Sequence, residues 1–353
     1  MEPENNIAII VVAYNRPKAL ERILFSLGKS DFDGFLKIPL VISIDKSDND
    51  EVIKVANSFK WKFGEKQIIL QKERMGLKKH IMMCGDLTEK YNNIIILEDD
   101  LFVSPYFYSY AQCALNFFCD DKRVAGISLY SYDYNELVRQ PFVALDDGYD
   151  NYFMQIPCSL GQLWTKEQWF GFKQFYESEE SALKSTDKLS DVIIHNWPDS
   201  SWKKYFYKYM VEKDKYFVYP RISYTTNFGD AGTHFIEQSS SYQVNLNIGK
   251  RKMNFSKFEL SLSKYDSYFE ILPEIIKKFN SDMRPYDFEC DLYGIKELNK
   301  ISKEYLLSAK DCSVPIYSFS ATMIPHEMNI CEGIKDGFFI LAETIHFENK
   351  KKP

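Results

Sequence analysis

The chain contains nothing long and apolar enough to cross a membrane. Its longest early apolar run, Ile7 to Ala13, falls far short of the ~20 residues a spanning helix needs. The start, Met1 to Asn6, is acidic and polar, unlike a secretory signal with its basic head and apolar core. Cysteine is not set out for structural use. There are 7, an odd number, and no CxxC pair, which argues against a disulfide framework and a zinc site. Positive charge is short as well. The 44 Lys and Arg against 50 Asp and Glu leave a net −6, so no chain-wide attraction to nucleic acid is indicated. The best basic cluster, Lys250-Arg251-Lys252 with Lys257, reads as solvated surface. Repeats and low-complexity segments are missing too. These absences point to a cytoplasmic protein with reduced thiols. What remains is an ordinary globular composition, 45% apolar and 27% charged. At roughly 100–200 residues per domain, 353 residues suggest about two structural units.

The first hundred residues alternate strand and helix signals. Ile7 to Ala13 is a continuous β-prone run, the mark of a strand buried on both faces of a parallel sheet. Pro17 suits a first helical turn. Leu20, Ile23, Leu24 and Leu27 then recur at helical spacing, and Gly28 closes the helix. Further strands are expected over Ile38–Ile44, Lys66–Leu70 and Ile94–Leu97, with helices over Val52–Phe59 and Lys78–Tyr91. Such alternation predicts an α/β fold around a parallel sheet, where ligands sit beyond the carboxyl ends of the strands. Residues 120–245 mix short strands with aromatic-rich loops. Beyond about 246, helices are expected near 265–280 and 296–309, with β-prone runs at Val314–Phe319 and Gly337–Ala342.

Three polar positions fall at those strand ends: Arg16, Asp45 and the triplet Glu98-Asp99-Asp100. Clustered carboxylates repel, and a divalent cation bridging phosphate oxygens would offset that repulsion. Hard oxygen ligands suit Mn²⁺ or Mg²⁺. The competing reading is a solvated turn with Asp100 as a cap. Arg16 could stack on a base or reach phosphate, or be a surface arginine. Asp45 could accept from a base N–H, or cap a turn or helix. Lys78, Lys79 and His80 could touch phosphates, or be a solvated helix face. Trp164, Trp169, Trp197 and Trp202 could offer flat faces to sugars, with core packing as the alternative.

Several segments carry a resemblance. Ala13-Tyr14-Asn15-Arg16, Ser43-Ile44-Asp45, and Ile96 through Phe107 around the acidic triplet resemble the N-acetylglucosaminyltransferase I family. So do Leu160-Gly161-Gln162-Leu163-Trp164, the Trp197-Pro198 to Trp202 segment, and Pro220 through Gly229, in the same order over roughly residues 7–235. The resemblance implies a GT-A fold and inverting, Mn²⁺-assisted transfer from a UDP-sugar to a saccharide hydroxyl. It implies Arg16 and Asp45 at the uracil, Asp99 at the ribose, Asp100 on the metal and Glu98 lining the donor site. Apart from the resemblance, His234, after the Phe228-to-Thr233 loop, could lie near the diphosphate or be a loop histidine with no ligand. Trp164 and Trp202 are the aromatic residues expected at the acceptor sugar.

One departure stands out. The family's general base is an aspartate directly after the second tryptophan of the Trp-Pro…Trp segment, and here that residue is Lys203. A lysine fills that role only if burial lowers its pKa. Asp199 is therefore the expected base, with Asp191 and Glu167 behind it. A silent UDP-sugar-binding module and a sugar-nucleotide nucleotidyltransferase are the rivals. No glycine-rich loop follows the first strand, which counts against the latter. The expected layout is a GT-A domain over 1–245 (nucleotide half 1–120, acceptor half 121–245) and an acceptor-side or subunit-contact region over 246–353. Composition suggests a bacterial enzyme of surface polysaccharide synthesis. A lipid-linked acceptor would place it against the inner membrane face.

Overall fold

The computed structural model describes residues 6–32, 34–35, 37–230 and 239–351. Its strands, in chain order, are β1 (Ile7–Ala13), β2 (Leu40–Ile44), β3 (Lys66–Leu70), β4 (Asn93–Glu98), β5 (Leu101–Val103), β6 (Val124–Ser128), the short hairpin β7 (Tyr134–Asn135) and β8 (Gln140–Pro141), β9 (Asn151–Met154), β10 (Gln162–Thr165), β11 (Tyr216–Pro220), β12 (Thr225–Asn227) and β13 (Lys264–Tyr265). Among the described residues nine of them form one sheet in the order β13-β9-β11-β6-β10-β4-β1-β2-β3. β1 pairs in parallel with β2 and β4, and β2 with β3. β10 is inserted antiparallel between β4 and β6. The fold is thus α/β around a mixed, mostly parallel sheet.

β1 shows why the sheet forms. Every residue of it is buried. Ile7, Ile9, Val11 and Ala13 join one apolar cluster, and Ala8, Ile10 and Val12 join the other. This is the period-2 pattern of a strand covered on both faces. One face is covered by α1 (Pro17–Gly28), α2 (Asp50–Ser58) and a later helix, Phe107–Phe118. α1 buries Ala19, Leu20, Ile23, Leu24 and Leu27, with Pro17 in its first turn. The opposite face is covered by α3 (Gly76–Gly85) and, further along the chain, by the helices Lys166–Glu177 and Trp202–Glu212. The Lys166 helix starts on a capping box made by Thr165 and Gln168.

The chain after residue 245 is not detached from this body. β13 extends the main sheet beside β9. A four-stranded sheet of Phe288–Asp291, Tyr305–Ser308, Phe339–Glu343 and Tyr317–Phe319 follows. Its Phe288, Leu307 and Phe339 belong to the same apolar cluster as Trp164 and Trp202. The two C-terminal helix expectations need correction. Pro273 begins a helix that runs only to Phe279, because proline cannot sit inside one. Residues 296–309 hold a short 3₁₀ turn at Leu298–Lys300 and a strand at Tyr305–Ser308. Leu306 and Leu307 pack on opposite sides of that strand. The expected Lys78–Tyr91 helix is two pieces, Gly76–Gly85 and Thr88–Tyr91.

Candidate active site

Strand pairing brings the three polar positions together. Val12 of β1 lies opposite Glu98 of β4, and the Asp45 N–H donates to the Ala13 carbonyl at 2.9 Å. Arg16, Asp45 and the acidic triplet therefore share the carboxyl edge of β1, β2 and β4. The guanidinium of Arg16 bonds Asp99 Oδ1 and, at 3.2 Å, Asp100 Oδ2. Burial works against the Arg16 charge, but Asp99 and Asp100 outweigh it and raise its pKa. Burial pushes Asp99 up to about 6 although Arg16 draws it down. Burial, reinforced by Asp100 and Asp99, pushes Glu98 up to about 8, with Arg16 and Lys203 opposing. The second Asp99 oxygen, Oδ2, is buried with no hydrogen-bond partner. Such an atom is costly unless a ligand satisfies it.

The turn is held from the other side. β5 leaves it and pairs antiparallel with β12, Leu101 opposite Asn227. The Phe228 N–H then donates to the Asp100 carbonyl at 2.9 Å. So the two most specific segments of the sequence resemblance lie against each other. Gly229 follows at φ +65°, and a β-carbon there would meet the Ser239 carbonyl oxygen, so only glycine fits. Asp230 pairs with Arg22 of α1, whose guanidinium lies 3.8 Å from the centre of the Phe228 ring. His234 lies outside the described residues.

Other expectations change on inspection. Asp45 is 5% exposed. Its Oδ1 accepts the Lys46 and Met75 N–H groups at 2.8 and 2.7 Å, and its Oδ2 the Gly76 N–H at 2.9 Å. It caps the approach to α3, as one of its two readings allowed. His80 is buried and shares a 2.7 Å hydrogen bond with Ser43, so it does not face a ligand. Lys78 reaches the Asp199 carbonyl and Lys79 pairs with Glu73. Trp164 and Trp202 are core residues rather than sugar platforms. Trp164 stacks on Phe206 at 5.7 Å and meets Trp202 edge-on, and both are almost wholly buried. Asp199 has a side chain 93% exposed, tied to Lys204 at 3.1 Å. Asp191 is bound to Lys300.

Sequence reasoning missed Glu136. It lies in the turn between β7 and β8, and its side chain is 8% exposed. Oε1 accepts from Lys203 Nζ at 2.7 Å and the Tyr207 hydroxyl at 3.2 Å. Oε2 accepts from the Tyr242 hydroxyl at 3.3 Å. Lys203 also bonds the Tyr132 hydroxyl at 3.1 Å. Lys203 was the flagged anomaly, but nothing in the residues around Glu136 ties it to a lysine 67 positions away.

Fold and site together define an α/β protein with an acidic cluster at the carboxyl edge of a mostly parallel sheet. No family model matches the chain. It is similar to an alpha-1,3-mannosyl-glycoprotein 2-beta-N-acetylglucosaminyltransferase of Arabidopsis thaliana, 24% identical over 279 residues, covering 74% of this chain and 56% of that protein. The chain thus spans about half the length of the curated relative it matches. Among solved structures, S. aureus TarS 1–349 in complex with UDP-GlcNAc gives a TM-score of 0.45 at 12% identity, over 65% of this chain and 60% of that one. GalNAc-T7 with UDP, GalNAc and Mn²⁺ gives 0.42 at 13%, over 63% and 43%. The likeness to a glycosyltransferase seen in the motifs therefore extends over three quarters of the sequence.

Proposed function

We propose that the protein is an inverting glycosyltransferase that moves a hexose, GlcNAc or another, from a UDP-sugar to a saccharide hydroxyl. The observation that carries this is the shared strand edge, where Arg16 bridges Asp99 and Asp100 and β12 closes over the turn. Arg16 and Asp45 would border the base. Asp99, with its unpartnered buried oxygen, would accept from the ribose hydroxyls. Glu98 would line the sugar. Among the described residues no group of three or more His, Cys, Asp or Glu side chains is placed to hold an ion alone. The acidic turn does fit an ion shared with a diphosphate, with Asp100 as its protein ligand. Bound there, Mn²⁺ or Mg²⁺ would neutralise the leaving diphosphate. Arg16 positions both carboxylates; Asp99 is buried, while Asp100 stays partly open to solvent.

Support for an acceptor in bacterial surface polysaccharide comes from composition alone. A lipid-linked acceptor would hold the protein at the inner membrane face. No described helix is long and apolar enough to cross a membrane.

A screen of UDP-sugars with Mn²⁺ tests the reading. At least one should raise the melting temperature, by about 2.7 kcal/mol of stability at 100 times Kd. UDP release should rise when the right acceptor is added. Asp100→Asn should abolish the metal-dependent part of the stabilisation. If no UDP-sugar stabilises the protein, the proposal fails. Lys203 at the expected base position favours one second reading, a silent binding module, for which UDP binds but no acceptor raises UDP release. Pyrophosphate release from UTP and a sugar phosphate would instead indicate a nucleotidyltransferase.

A further inference from the structure

The proposed reaction needs a carboxylate on the acceptor side, and Asp199 is badly placed for it. Two consecutive lysines divide the carboxylates of this region. Lys204 holds Asp199 outward, where its side chain is 93% exposed. Lys203 holds Glu136 inward, with both side chains 8% exposed. A base in open water gains nothing from position, whereas a fixed carboxylate does.

Glu136 is also tied to the acidic turn through Tyr242. Tyr242, which donates to Glu136 Oε2, accepts through its backbone carbonyl from the Asn227 N–H, and Asn227 pairs with Leu101 beside Asp100. Oε1 has two donors while Oε2 has one, at a long 3.3 Å. A carboxylate oxygen can accept more than one hydrogen bond, so Oε2 keeps acceptor capacity for a substrate hydroxyl. A cavity of about 240 Å³, lined in part by Tyr132, Asp133, Arg221 and Val244, lies next to this cluster, sharing Tyr132 with it.

We propose that Glu136 is the general base of this enzyme, held by Lys203, Tyr207 and Tyr242 and acting through Oε2. The inference rests on the glycosyltransferase reading above. In the step, the acceptor oxygen forms its bond to the anomeric carbon as the bond from that carbon to the UDP oxygen breaks. The electron pair of the broken bond leaves with UDP. The acceptor proton passes to Glu136 and from there to water. Lys203 is ion-paired to Glu136 before the step and stays hydrogen-bonded to the neutral acid after it.

The test is Glu136→Gln in the full chain, assayed with the donor and acceptor found in the UDP-sugar screen. Acceptor-dependent turnover should fall at least 100-fold, while the Kd for UDP stays within about threefold. Glutamine leaves Lys203 buried without its counter-charge, so the double variant Glu136→Gln/Lys203→Met is made alongside. It removes both charges and should fold, bind UDP and remain inactive. If either variant binds UDP and turns over within threefold of wild type, Glu136 is not the base. If the wild type itself fails to transfer any sugar, the functional reading fails first, and separately.

Discussion

Glu327 offers a prediction whose size follows from the structure. It begins a short helix, Glu327–Cys331, and is 5% exposed. Its Oε1 accepts from the hydroxyl of Tyr265, on the edge strand β13, at 2.6 Å. Burial pushes its pKa from 4.5 up to about 7, even though the Tyr265 hydroxyl pulls it down. In the unfolded chain it releases its proton near the ordinary value. The folded state therefore binds more protons between those two values, and stability falls as pH rises through the window. Each unit is worth about 1.36 kcal/mol, so a shift of this size amounts to about 3 kcal/mol. The stabilisation is present in full below about pH 4.5 and lost by about pH 7. Glu327→Gln keeps a carbonyl to accept from Tyr265 but does not titrate. Its urea-melt stability should match wild type near pH 4.5 and exceed it by about 3 kcal/mol at pH 8. Parallel curves across that range would refute the reasoning.

Three further outcomes are expected. Trp202→Ala should cost roughly 3–5 kcal/mol in a denaturant melt, the range for emptying a core site of that size; a shift in acceptor KM at unchanged stability would restore its sugar-binding role. Gly85→Ala should cost about 1–3 kcal/mol, because the new β-carbon would fall 2.2 Å from the Trp169 ring; a neutral thermal melt would show that the ring moves freely. Asp199→Asn should leave steady-state turnover within about twofold, since its side chain is 93% exposed; a large loss of turnover in a folded variant would return the base to Asp199.

How far the sequence could be read depended on strand length and on burial. β1 and β3 match their expected bounds. A run such as Ile7 to Ala13 has only one place to go, and Pro17 marks the next helix start. β2 begins at Leu40 rather than Ile38, because Pro39 has no N–H for the ladder. Past residue 120 the strands are two to five residues long, too short for a period to show. In a segment such as Tyr305–Ser308, adjacent leucines face opposite apolar layers, and their spacing imitates a helix. Within the site, the strand-end acids were legible because a parallel sheet directs its carboxyl ends to one edge. Burial of Trp164 and Trp202 was not, since an aromatic residue fits a core or a sugar equally well. Glu136 was hidden because its partners come from a helix and a loop far along the chain.

The charge at the mouth explains why the donor and a cation belong together in the proposed reaction. Glu98, Asp99, Asp100 and Glu136 supply four carboxyl groups, and Arg16 and Lys203 supply two cations. If all four were ionised the site would be short of positive charge, and burial and mutual repulsion answer by raising Glu98 to about 8 and Asp99 to about 6. A bare diphosphate would meet the same repulsion. Arg16 cannot offset it alone, because its guanidinium is already bound to Asp99 and Asp100. In the proposed reaction a divalent cation entering with the donor would neutralise the diphosphate and lie against Asp100, which would lessen both repulsions. The same arithmetic separates the two ends of the site. Lys203 is engaged by Glu136 and so is not free to meet a diphosphate; on the proposed reading the donor would fall to the acidic turn and the acceptor to the Glu136 cluster.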